Sequence, residues 1–274
     1  KGPARGPSKR RRTASVQAVE HALRLALQRA IGAGQHFLEQ VARAFVAAGW
    51  TRALPGGVKA DARSFVALAD RHGIALVGGD TTRGPLSLPA AAMGLVEAGC
   101  ALRRDMAQIG DDVWVTGTLG DAAMALEAVL QAREVSPAMR ERLDRPAPRV
   151  AVGQRLSGLV HACINVSDGV LADLGHVCER SGVGAEIHMS DLPCSIELAA
   201  MRAPQRWPLQ TSGDDYELCF TAPRRNRDQI VQALDFTEVA ATRIGRILAG
   251  QGVIALDEEG SPWQPPSSGY THFM

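Results

Sequence analysis

Apolar positions fall in short runs, separated by glycine, proline and acidic turns. Their spacing predicts alternating strands and helices. Val16 to Trp50 is alanine-rich and reads as two helices broken near Gly32-Ala33-Gly34. Asp61 to His72 places Phe65, Val66, Leu68 and Ala69 on one helical face, with Gly73 as its stop. Ile74 to Val77 reads as a buried strand, and Leu86 to Glu97 as a strand with a small-residue face. Further strands are expected at Val113–Val115, Cys163–Val166, Ala185–Met189 and Tyr216–Thr221, with a terminal pair at Arg243–Leu248 and Gly252–Leu256. Helices are expected at Ala122–Gln131, Arg149–Leu159, Val170–Arg180 and Arg227–Leu234. Strands alternating with helices point to a mixed α/β or α+β layered fold. There is no repeat period.

Composition narrows the class. Among 274 residues, 46% are hydrophobic, enough for a real core, but only 4% are aromatic. A net charge of +1 argues against a dedicated nucleic-acid or membrane-surface protein. No apolar run approaches the roughly 20 residues of a membrane span, and no secretory leader is visible. Five cysteines without a C-x-x-C pair suit buried thiols in a reducing cytoplasm. The charge is unevenly spread. Residues 1–60 hold eleven Lys or Arg against two acids, Glu20 and Glu39, and the remainder holds nineteen basic and twenty-seven acidic residues. The start, KGPARGPSKRRR, is expected to be a solvated tail. Pro146 and Pro148 mark a linker. The expected organisation is a divergent basic segment over 1–60, the remainder of an N-terminal domain over 61–145, and a C-terminal α/β domain over 146–274.

Three stretches carry chemistry. Val77-Gly78-Gly79-Asp80-Thr81-Thr82-Arg83 follows a strand. Its glycines allow close backbone approach, and Asp80 adds a carboxylate that suits a metal-bound polyphosphate. Ile164-Asn165-Val166-Ser167-Asp168-Gly169-Val170-Leu171-Ala172-Asp173-Leu174 is again strand, polar turn, helix. Ser167 can cap that helix, whose N-terminus would then offer N–H groups to phosphate, and Asp168 could hold a cation. Ser212-Gly213-Asp214-Asp215-Tyr216-Glu217 crowds acids and a phenol at a strand entry. Alternation puts Asp215 and Glu217 on one face, Asp214 and Tyr216 on the other. Paired carboxylates there suit a cation or an ammonium-bearing substrate. Ordinary caps and turns would use the same residue types. A P-loop, a dinucleotide fingerprint, an H-E-x-x-H pair and a nucleophile elbow are all missing. His161, His176 and His188 read as surface or half-buried side chains.

Taken in order, these stretches resemble the thiamine-monophosphate kinase family, of the superfamily that includes aminoimidazole ribonucleotide synthetase and selenophosphate synthetase. The matching segments are VGGDTTRGPLSL (77–88), ALRRDMAQIGDDVWVTGTLGDAAMALE (101–127), RPAPRVAVG (145–153), INVSDGVLADLGHVCERSGVGAEI (164–187), SGDDYELCFTAP (212–223) and GYTHF (269–273). The resemblance implies a two-domain mixed α/β architecture, dimerisation through the N-terminal domains, and Mg²⁺- and ATP-dependent phosphorylation of thiamine monophosphate to thiamine diphosphate. It implies that Gly79, Asp80, Arg104 and Ser167 meet ATP, and that Asp80, Asp168 and position 165 face the metal. Asp214, Tyr270 and His36, in the remnant Gly34-Gln35-His36-Phe37, would face thiamine monophosphate.

Two departures shape the expectation. The family pattern has Asp where this chain has Asn165, which keeps an oxygen but loses its charge. The N-terminal acidic motifs are missing, and no Asp precedes Asp61. The N-terminal domain is therefore expected to be incomplete, the dimer weakened or absent and turnover impaired. A non-catalytic nucleotide-binding or dimerisation module, or an ATP-dependent enzyme of the same superfamily with another substrate, fits the same residues. Gly110-Asp111-Asp112 imitates the missing motif, but its neighbours make it the turn before Val113.

Overall fold

The computed structural model describes residues 43–45, 66–67, 69–78 and 91–266. The chain divides into two compact units, Lys1–Ala98 and Gly99–Met274.

In the first unit, β1 (Arg43–Phe45) pairs in parallel with β2 (Ala75–Gly78) and antiparallel with β3 (Ala91–Met93). Arg43–Phe45 was expected within a helix. Backbone pairing on both sides outweighs a helix preference worth only tenths of a kcal/mol per residue. The helix expected to stop at Gly73 does so: His72 N and Ile74 N both donate to Ala69 O, and β2 follows. Of the strand expected over Leu86–Glu97, Ala91–Met93 pairs with β1 and residues 94–97 are exposed coil, while residues 86–90 lie outside the described residues.

The second unit is built on a seven-stranded sheet in the order β10-β9-β6-β8-β4-β7-β5. Its strands are β4 (Asp112–Thr116), β5 (Ala162–Asn165), β6 (Gly184–His188), β7 (Leu218–Ala222), β8 (Ala241–Leu248), β9 (Gly252–Leu256) and β10 (Pro262–Trp263). Only β6 and β9 run parallel; the other pairings in this sheet are antiparallel. The helices are α1 (Asp121–Leu130), α2 (Pro137–Asp144), α3 (Val150–Leu156), α4 (Val170–Ser181), α5 (Ile196–Ala199), α6 (Ala203–Gln210) and α7 (Arg227–Leu234). The fold is thus mixed α/β.

Strand β4 is buried at all five positions, as a strand covered on both faces must be. Its alternation divides the core in two. Val113 and Val115 pack with Val170, Leu174, Val177 and Cys178 of α4, and with Ile244 and Ile247. Trp114 packs on the other face with Val152 and Leu156 of α3 and Ile230 and Leu234 of α7. Trp114 stacks on its cross-strand partner Phe220 at 6.1 Å, the rings 3° from parallel.

Two expectations change here. The boundary near residue 145 falls inside the second unit, because β4 occupies the sheet interior between β7 and β8. The strands β8 and β9 are consecutive but not paired: β6 lies between them, antiparallel to β8 and parallel to β9.

Candidate functional site

The second and third motifs meet backbone to backbone. Asp214 N donates to Ser167 O at 2.9 Å, Tyr216 N to Val166 O at 2.8 Å, and Val166 N to Glu217 O at 2.7 Å. Such an approach excludes side chains. A Cβ on Gly169 would lie 2.1 Å from the Thr211 carbonyl oxygen, and one on Gly213 would lie 2.4 Å from that of Ser167. Both glycines adopt positive φ, 114° and 96°. Asp214 and Tyr216 also sit at positive φ, 61° and 52°. Strained backbone of this kind persists where its surroundings fix it, and it concentrates at functional turns.

Ser167 does not cap α4. The N-cap is Gly169, without a side-chain bond, and Asp173 in the first turn accepts from Ser167 N at 2.8 Å and Asp168 N at 3.0 Å. Those two N–H groups, ahead of the helix, hold a carboxylate. Burial raises the Asp173 pKa, and the two backbone donors oppose that rise. Asp173 lay within the second motif, but its spacing gave no reason to single it out.

In the third motif, the expected alternation is present in burial: Asp215 and Glu217 are buried, whereas Asp214 and Tyr216 are exposed. The residues are a turn, however, and β7 begins only at Leu218. Asp215 and Glu217 were expected to suit a cation as a pair. Each instead serves the fold. Asp215 accepts from Gly120 N at 2.9 Å. Burial pushes its carboxyl well above the usual range, with Asp121 and Glu217 adding to the rise. Glu217, 0% exposed, accepts from Thr116 Oγ1 at 2.7 Å, Arg149 Nε at 2.6 Å and Arg142 Nη2 at 3.0 Å. Outside this buried set, Asp168, Asp214 and Tyr216 share one neighbourhood: burial, then Asp214 and Asp168, raises the Tyr216 phenol.

Beside this turn lies a cleft of about 720 Å³ whose lining includes Leu102, Arg103, Arg104, Arg149, Asn165 and Arg180. Four arginines accompany one acid, Asp105, to which Arg103 donates from Nε at 2.7 Å and Nη2 at 2.5 Å. Arg104 makes no hydrogen bond or ion pair among the described residues. An exposed guanidinium in a basic cleft is a ready partner for phosphate. The structure therefore brings Arg104 and Asn165 to one cavity, immediately before Ser167 and Asp168. Gly79, Asp80, His36 and Tyr270 lie outside the described residues.

The donors implied for Mg²⁺ are oxygen ligands, the chemistry that ion requires. Asn165 is exposed at the end of β5, and Asp168 is half-buried three residues later. Among the described residues, no group of three or more His, Cys, Asp or Glu is placed to hold a metal. One carboxylate and one amide fit a Mg²⁺ held chiefly by substrate phosphates, not a dedicated protein cage.

The Gly110-Asp111-Asp112 turn is engaged elsewhere. Asp111 contacts His161 Nδ1 at 2.9 Å, and Asp112 accepts from Arg227 at 2.6 and 2.7 Å. The cysteines are all free, with Cys163, Cys178 and Cys219 buried. Among the described residues, no helix is long and apolar enough to cross a membrane.

Comparison with known proteins resolves the family. Residues 108–258 match the AIR synthase related protein, C-terminal domain family. A thiamine-monophosphate kinase of Escherichia coli O157:H7 is 41% identical over 215 residues, covering 75% of this chain and 66% of that relative. The crystal structure of the thiamine-monophosphate kinase from Stenotrophomonas maltophilia K279a superposes with a TM-score of 0.72 at 44% identity, covering 82% of this chain and 73% of the other. The chain belongs to the thiamine-monophosphate kinase family. It spans about two thirds of the length of that E. coli relative. A further thiamine-monophosphate kinase family structure, AaThiL complexed with AMPPCP and TMP, superposes with a TM-score of 0.64 at 27% identity, covering 86% of this chain and 74% of that one.

Proposed function

We propose that the chain transfers the γ-phosphoryl group of ATP to thiamine monophosphate, giving thiamine diphosphate and ADP. The observation that carries this is the cleft, which joins Arg104 to Asn165 at the end of β5, directly before the Ser167-Asp168-Gly169 turn. Its arginines suit the triphosphate, and the neighbouring Asp168 and Asp214 suit its metal and the cationic thiazolium ring. A relative bound to an ATP analogue and TMP supports both substrates.

Phosphoryl transfer depends on aligning acceptor and donor and on neutralising charge more than on a covalent nucleophile. In this reading Arg104 binds the triphosphate, and Gly79 lets the backbone approach it. Ser167 binds the nucleotide from the second motif. Asp80, Asp168 and Asn165 would hold Mg²⁺, which would supply positive charge against the triphosphate. Asp214, Tyr270 and His36 hold thiamine monophosphate. Asn165 and the shortage of acids in residues 1–60 set the expected rate low. The free buried thiols suit a cytoplasmic location.

Calorimetry with AMPPCP and Mg²⁺ tests the site. Hydrogen bonds to charged groups contribute about 1.5–3 kcal/mol, so Arg104→Ala should weaken binding by roughly tenfold to a hundredfold. Equal affinity of the two proteins would remove the cleft from the nucleotide site. Asp80→Asn should weaken Mg-AMPPCP by about tenfold or more without altering the melting temperature.

A further inference from the structure

Arg149 differs from the other arginines of the cleft in how it is held. It directly precedes α3, lines the cavity, and is only 15% exposed. Its Nε donates to Glu217 Oε2 at 2.6 Å and its Nη2 to Glu217 Oε1 at 2.5 Å. Glu217 cannot drift. Thr116 Oγ1 donates to it at 2.7 Å and accepts in turn from Leu218 N at 2.8 Å, and Arg142 Nη2 holds the same carboxylate at 3.0 Å. One edge of the Arg149 guanidinium, Nε and Nη2, is thereby fixed. Its Nη1 has no hydrogen-bond partner among the described residues.

Arg142 provides the contrast. It grips the same glutamate, but its Nη2 also donates to Thr118 O at 3.0 Å, its Nε lies 3.9 Å from Asp121, and it does not line the cleft. Arg142 is consumed by the fold, whereas Arg149 is braced by the fold and still faces the cavity.

We propose that Arg149 is a second polyphosphate-binding residue of this cleft, aimed by Glu217 and acting with Arg104. The proposal rests on the nucleotide reading of the cleft and extends it to a residue outside the three motifs. A solvated arginine loses rotamer freedom when it grips a ligand. Arg149 has lost that freedom on folding, so its N–H groups bind phosphate at lower entropic cost. A bidentate carboxylate behind the guanidinium leaves three of its five N–H groups for phosphate oxygens.

Titration of the full chain with sodium tripolyphosphate, by calorimetry, tests this, with thermal melting followed in parallel. Arg149→Ala should weaken tripolyphosphate binding by about tenfold or more. Arg149→Lys keeps a charge opposite Glu217 but cannot make the bidentate pair, and should weaken binding by roughly fivefold. A lower melting temperature with tripolyphosphate affinity within about twofold of the parent would make Arg149 a structural partner of Glu217 only, and would overturn the proposal. If the alanine variant does not fold, the lysine variant decides by the same criterion. Arg104→Ala in the same titration separates the two claims. Unchanged affinity there removes the cleft itself as a polyphosphate site, whereas loss with Arg104→Ala but not with either Arg149 variant overturns only the role of Arg149.

Discussion

Gly169→Ala should be among the most damaging single-methyl additions in this chain. Gly169 adopts φ 114° and ψ 144°, a region open essentially to glycine alone. Its added Cβ would meet the Thr211 carbonyl oxygen at 2.1 Å, where real Cβ atoms essentially never come within 3.0 Å. The obstacle is backbone, so the two turns must part by about 0.9 Å. That opening strains the Asp214 N to Ser167 O and Tyr216 N to Val166 O bonds. Two net hydrogen bonds contribute about 2 kcal/mol, and backbone strain adds roughly 1–2 kcal/mol. A loss of about 3–4 kcal/mol should lower the melting temperature by roughly 10 °C in a unit of this size. Urea unfolding followed by tryptophan fluorescence should show a lower midpoint at unchanged slope. Gly158→Ala is the control: φ there is also positive, 78°, but its Cβ would meet nothing within 4 Å. It should cost only the strain, about 1 kcal/mol. Equal losses at Gly169 and Gly158 would show that close packing of the two motifs is not what Gly169 supplies.

Other consequences are as direct. Asn165→Asp restores an anionic oxygen three residues before Asp168 and should raise Mg²⁺ affinity in the presence of AMPPCP; a flat or lower affinity would show that position 165 does not face the metal. Burial raises the Asp215 pKa, so the native state holds that proton more tightly than the unfolded chain. Stability from this group therefore falls as pH rises from the ordinary carboxylate range, about 4, through the raised value. Asp215→Asn keeps an acceptor for Gly120 N, and its stability relative to the parent should climb with pH over that window; a pH-independent difference would refute this. Burial pushes the Cys163 thiol up to about 12 and Cys178 up to about 11, so both should resist a thiolate-directed reagent at pH 8 until the protein unfolds. Labelling of either at the rate of Cys100 or Cys194 would contradict their burial.

Local pattern revealed much of this fold. The buried run around Val113 became a central strand, Val170–Arg180 became α4 to within a residue, and Arg227–Leu234 became α7. What escaped depends on partners distant in sequence. Arg43–Phe45 has a helical composition but pairs on both sides. The placement of β6 between β8 and β9 leaves no trace in either strand's alternation. At the site, inside and outside positions of 214–217 followed from period two, but the occupants of Asp215 and Glu217 did not. Arg149 lies 68 residues from Glu217 and Thr116 lies 101 away, so no local spacing announces that network. Ser167 looked like a cap because serine before a helix usually is one. Asp173, folded back from the first turn, took that role over.

Product formation is the decisive measurement for the proposed phosphoryl transfer. The full chain would be incubated with ATP, Mg²⁺ and thiamine monophosphate, and ADP and thiamine diphosphate would be quantified by chromatography. Equal amounts of the two products are expected, at a rate below the roughly 1 s⁻¹ typical of kinases, lower still in Arg104→Ala. ADP released without thiamine diphosphate, or nucleotide bound with no turnover, would contradict it.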